Sequence, residues 1–110
     1  MSKGILVAQS SPVSPEREDD YNKWYDEEHI PDILAIPGFV SARRYRVRDA
    51  GPIKAAPATP TYLTIYEIEA DDLDAKLTEL RERSADGRVR RSNAVRLDPP
   101  PITTFYELIE

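Results

Sequence analysis

The chain has 110 residues, enough for one domain and hardly for two, and carries 15 basic and 20 acidic residues for a formal net charge of −5. A negative total argues against general binding to nucleic acid or anionic membrane, which depends on neutralising phosphates. The absence of cysteine excludes disulfides, thiolate catalysis and cysteine-ligated zinc or iron–sulfur sites.

The N-terminal MSKGILVAQSSP has too short an apolar run for a signal peptide or a membrane span, so a cytoplasmic protein folding as one domain over 1–110 is expected. Residues 3–10 (KGILVAQS) are aliphatic and β-branched and end at serines and Pro12, which predicts a strand. Ser14 and Pro15 suit the cap and first position of a helix, which then runs from about 15 to about 29. Pro31 lacks an N–H and restricts Ile30 before it, so the helix is expected to break there, with one further short turn over 31–36.

Residues 39–47 (FVSARRYRV) predict a second strand whose alternation places Phe39, Ser41, Arg43, Tyr45 and Val47 on one face and Val40, Ala42, Arg44 and Arg46 on the other. The proline-rich stretch 49–60 reads as a loop. Residues 61–69 (TYLTIYEIE) form the clearest strand, Leu63 and Ile65 alternating with Tyr62, Thr64 and Tyr66. Asp71 and Asp72 open a second helix, Leu73, Leu77 and Leu80 give its apolar spacing, and Gly87 is placed to stop it. A long connection over 86–102 carries Arg88, Arg90, Arg91 and Arg96 and reads as a solvated loop, or as a lid or an arm over a partner. Residues 103–110 give the last strand.

The order is β-α-β-β-α-β, which predicts an α+β, ferredoxin-like fold: a four-stranded antiparallel sheet with two helices on one face. The other face retains Phe39, Tyr45, Val47, Leu63, Ile65, Phe105, Leu108 and Ile109 in need of cover. A homodimer packed sheet against sheet provides it.

Residues 21–32 (YNKWYDEEHIPD) hold the only histidine, His29, among three aromatics. At helical spacing Tyr21, Trp24, Tyr25 and Glu28 share a face, with His29 at its edge. A carboxylate there must be paired, hydrogen-bonded or protonated, and Arg43 or Arg44 of the second strand is the expected partner. Glu28 is thus either a tie from helix to sheet or an orienting group or base in a cleft. His29 is either a cap on the last carbonyls of the helix or the group that moves protons near neutral pH. Trp24, Tyr21, Tyr25, Tyr62 and Tyr66 are core, or else the walls of a pocket for a planar organic ligand. With no second histidine, a metal site is not expected, nor is any other cofactor. No phosphate-binding glycine motif or serine-nucleophile elbow is present.

The stretch WYDEEHIPDILAIPGFVSARRYR (24–46), followed by YLTIYEIE (62–69), resembles the signature of small EthD-like proteins of the dimeric α+β barrel superfamily. The resemblance implies a dimeric barrel and raises the acid–base reading of His29, since related barrels place a histidine in the cavity between helices and sheet. It does not fix a reaction, because the fold hosts many. Three functions follow. In the first, a cofactor-independent enzyme of isomerase, cyclase or lyase type acts on a small carbonyl or phenolic compound. His29, Glu28 and Tyr25 are its catalytic set, and Trp24, Tyr62, Tyr66, Arg43 and Arg44 contact the substrate. The second is a haem-dependent or cofactor-free monooxygenase, and the third a non-catalytic ligand-binding or auxiliary dimer.

Overall fold

A computed structural model describes all 110 residues. Strands β1 (Ser2–Ser10), β2 (Phe39–Arg46), β3 (Tyr62–Ala70) and β4 (Ile102–Glu107) make one antiparallel sheet in the order β2-β3-β1-β4. The expected ferredoxin-like α+β fold is therefore what the chain adopts. Strand β3 shows why it sits at the centre. Tyr62, Thr64, Tyr66, Ile68 and Ala70 are all buried beneath the helices, and the residues between them face the other way.

On the helical side, Pro15–Arg17 makes a 3-10 turn that leads into α1 (Glu18–Trp24). Tyr25–His29 then forms a π turn, and α2 (Ile30–Leu34) continues without a break. The expected stop at Pro31 is corrected: the helix passes through it. The Ile30 N–H reaches back five residues to the Tyr25 carbonyl, and this wider turn accommodates a proline that would otherwise collide with the carbonyl four residues before it. Ser14 is corrected as a cap. Its backbone is extended and Pro15 takes the first position as expected, but the hydroxyl makes no capping bond. Asp72 does cap α3 (Leu73–Ala85), accepting from the Ala75 N–H at 3.1 Å, and Gly87 follows with φ 88°.

The π turn places one more residue in the helix than α geometry allows, so the apolar face moves on by one residue. In an unbroken α-helix Ile33 lies about 100° away from the Tyr21–Tyr25 stripe. Here Ile33 and Ile36 pack on Leu6, Phe39, Tyr66 and Ile68, while Tyr21 and Tyr25 pack on Tyr62 and Ala94.

Strand β2 carries a second one-residue irregularity. Phe39 pairs with Ile68 but Ser41 pairs with Glu67, so Val40 is a bulge. Phe39 is thereby turned under the helices and is buried, a correction to its placement on the open face. Phe105 is corrected in the same direction: it pairs with Leu6 and packs on the core. Its ring lies over Gly4, where a Cβ would sit 2.5 Å from Phe105 Cζ and 2.7 Å from the Tyr106 carbonyl oxygen. The open face keeps Ile5, Arg43, Tyr45, Ile65, Glu67, Leu108 and Ile109 around a shallow cavity of about 640 Å³.

Candidate functional site

The helix and sheet bring most of the expected residues together. Arg44, on the helical side of β2, is the hub. Its guanidinium carbon stands 4.7 Å from the Tyr25 ring centre, 5.1 Å from Tyr62 and 5.8 Å from Tyr21. Its Nη1 donates to Asp26 Oδ1 at 3.1 Å and its Nη2 to Asn22 Oδ1 at 2.7 Å. A guanidinium among three electron-rich rings, held by two oxygens of α1 and the π turn, fixes the helix on the sheet.

His29 lies beside this cage. Its ring stacks on Trp24, centres 4.4 Å apart at 25°, and meets Tyr25 nearly edge to face at 5.0 Å and 83°. Its Nδ1 is buried with no hydrogen-bond partner within the protein. Burial pushes the imidazole pKa down to about 4, with the Asp32 carboxylate and the Arg90 main chain opposing the shift. The ring is therefore neutral at physiological pH. Tyr66 behaves similarly: its hydroxyl is buried and unpartnered, and burial, reinforced by nearby Tyr25, pushes its pKa far up. Arg44 Nε is the third unpartnered atom of this cluster.

Two expected residues lie elsewhere. Glu28 is corrected: it is not on the buried stripe and is not tied to Arg43 or Arg44. Its side chain is 43% exposed and lies 3.6 Å from Arg90. The π turn is the cause, since it rotates Glu28 outward and puts His29 at the place Glu28 would take in a straight helix. Arg43 is corrected as well. It lines the open face of the sheet, so it and Arg44 cannot contact one ligand.

Arg90, Asp32, Asn22 and Asp26 are additions. The connection after α3 folds over its own chain, with Val89 and Ala94 buried. Arg90 grips Asp32 through Nε at 2.9 Å and Nη2 at 3.0 Å, and its carbonyl accepts from Trp24 Nε1 at 3.2 Å. That bidentate contact holds the Asp32 carboxyl below its usual range. Glu28 thus reaches the imidazole only through Arg90. The signal for this cover was the run of arginines in a loop facing a helical stretch with four acids over 21–32, but nothing in the spacing paired Arg90 with Asp32.

His29 lines neither the open-face cavity nor four others found around the fold. A shallow groove beside Trp24, Glu28, Arg91 and Asn93 runs along the outer edge of the cover. No three histidine, cysteine or acidic side chains are placed to hold a metal ion, and no helix is long and apolar enough to cross a membrane.

Fold and site together describe a ferredoxin-like α+β protein with an aromatic, histidine-bearing helix face. Within that class the chain belongs to the family described as a domain of unknown function, DUF4286, whose model matches residues 8–83. No curated protein matches its sequence. Solved structures share the fold at low identity. An EthD family protein from Bacillus halodurans C-125 is 16% identical with a TM-score of 0.62, over 99% of this chain and 100% of that one. A candidate monooxygenase from Shewanella loihica PV-4 is 15% identical with a TM-score of 0.60, over 100% and 98%. A dimeric ferredoxin-like protein of unknown function from Jannaschia sp. CCS1 is 14% identical with a TM-score of 0.60, over 96% and 99%. The resemblance to EthD-like proteins is borne out in the fold these structures share.

Proposed function

We propose that the cluster around His29 binds a small carbonyl or phenolic compound and moves a proton on it without a cofactor. One observation carries this reading: His29 Nδ1, the Tyr66 hydroxyl and Arg44 Nε are each buried without a hydrogen-bond partner, where the aromatic helix face meets the core and the Tyr66 hydroxyl senses both Tyr25 and Arg44. Unpartnered buried polar atoms are costly, and sites that do chemistry are where such costs collect. His29, neutral and dry, is the base. The Tyr25 or Tyr66 hydroxyl donates to the substrate oxygen on which charge develops, and Trp24 holds the imidazole plane. The Arg44 guanidinium adds positive potential next to both tyrosines. Glu28 acts at a distance, by positioning Arg90. Entry requires the cover at Arg90 to lift, because the ring lies buried beneath it, outside the cavities described above.

The test is proton exchange. Simple ketones and phenols in D2O, followed by NMR with and without protein, report any base-catalysed exchange at carbon. The expected result is exchange above the buffer rate for some members, lost in His29→Gln and faster in Arg90→Ala. Exchange equal in wild type and His29→Gln refutes the role of His29.

The fold likeness to a candidate monooxygenase adds no residue-level support for oxygen chemistry. The whole chain acts as one domain in this reading, and a second copy covers the open face of the sheet. That assembly is supported by Tyr45 and Leu108, about half exposed, by Ile109, 94% exposed, and by the dimeric description of a protein with the same fold. Sedimentation of wild type and Ile65→Asp tests it: a dimer that the substitution splits is expected, and a monomeric wild type refutes it.

A further inference from the structure

A second cavity, of about 430 Å³, lies away from His29, where the end of β1 meets the segment before β3 and the start of the first helix. We infer that it binds a small zwitterion, with Glu18 taking the cationic end and Arg96 the carboxylate. Its walls are stiff: Pro12, Pro15, Pro60, Pro99 and Pro100 all line it, and proline surfaces are preformed before a ligand arrives. The volume lies within the usual range for small-molecule sites.

Only two charged groups line it, and they are of opposite sign. Glu18 lines the cavity with one carboxylate oxygen committed: Oε2 accepts from the Tyr62 hydroxyl at 2.5 Å. The Tyr62 oxygen in turn accepts from Asn22 Nδ2 at 3.3 Å, which holds the carboxylate in place from behind. Arg96 is anchored by its backbone, the N–H donating to the Ser11 carbonyl at 2.8 Å, while its guanidinium enters none of the chain's ion pairs. Ser14 adds a hydroxyl that makes no capping bond. A fixed anion and a free cation therefore line one cavity without pairing with each other. A molecule with a charge at each end and an aliphatic middle satisfies both, and its middle meets the proline walls.

The experiment titrates β-alanine, γ-aminobutyrate and 5-aminovalerate into the full chain and follows the backbone amides of Ser14, Thr59 and Thr61 by NMR. Butyrate and butylamine serve as singly charged controls. Saturable shifts at those amides are expected for at least one amino acid. Affinity should fall about tenfold in Arg96→Gln and in Glu18→Gln, the loss expected for one charge-assisted hydrogen bond. Arg96→Gln changes only an exposed side chain, so the test survives if Glu18→Gln disturbs the Tyr62 contact. No saturation by roughly 50 mM overturns the inference. So does equal binding by Arg96→Gln and wild type, or by the singly charged controls.

Discussion

Because His29 is the only histidine, its protonation can be read without ambiguity, and the fold makes it a large lever on stability. Its pKa falls from 6.5 in the unfolded chain to about 4 in the folded one. Between those values the unfolded state binds the proton and the folded state does not. The stabilisation is therefore complete above pH 6.5 and is lost as pH falls towards 4. Between pH 7.5 and pH 4.5 the change amounts to about 2–3 kcal/mol, a large part of the stability of a small domain. Carboxylates titrate in the same window, so the comparison is with His29→Gln, which keeps them and removes the imidazole. Urea unfolding of both proteins across that range should show wild type losing about 2–3 kcal/mol more than the variant. In parallel, the single histidine Hε1 resonance should stay unshifted until pH falls below 5. An inflection at or above pH 6.5, or parallel stability curves, would refute the burial argument and weaken the case for a neutral base.

Tyr66→Phe removes a buried hydroxyl that nothing in the protein satisfies, so stability should rise by about 1 kcal/mol while carbonyl exchange falls. A drop in stability on urea unfolding would mean that the hydroxyl has a structural partner. Arg44→Gln keeps a polar end near Asn22 but loses the rings and Asp26, and should cost about 2 kcal/mol in the same assay. Gly4→Ala drives a methyl into Phe105 and the Tyr106 carbonyl and should cost about 2 kcal/mol, visible as a lower Tm. Arg90→Ala releases Asp32 and Glu28, and the amides of Val89 and Ala94 should then exchange with solvent faster.

The sheet was legible because its signals are local. Strand β3 alternates without a fault, and Asp72 caps where acids cluster before a leucine repeat. The site was legible in composition and not in orientation. Tyr25, Trp24 and Arg44 belong together as read, whereas Glu28, Arg43 and Phe39 point elsewhere. Glu28 and Phe39 share a cause: each lies beside a segment with one residue more than the regular period, the π turn in the helix and the bulge at Val40 in the strand. Periodicity assumes an unbroken count, and one extra residue rotates a helix by about 100° and reverses a strand's faces. Ile33 carried the clue in the helix, being out of phase with Tyr21 and Tyr25. The Arg90–Asp32 contact joins residues far apart in the chain, and no local pattern could announce it.

The π turn also couples the length of the helix to its proline. A helix normally cannot lose a residue without turning every later side chain away from its neighbours. Here the surplus is already present, so deleting Glu27, which is exposed, would keep Tyr21 and Tyr25 in phase with Ile33 and Ile36, but it would close the turn to α geometry and set the Pro31 ring against the carbonyl four residues before it. A chain one residue shorter at this point is therefore expected to carry another residue in place of Pro31. The extra residue and the proline should thus be kept or lost together, which an alignment of relatives would check.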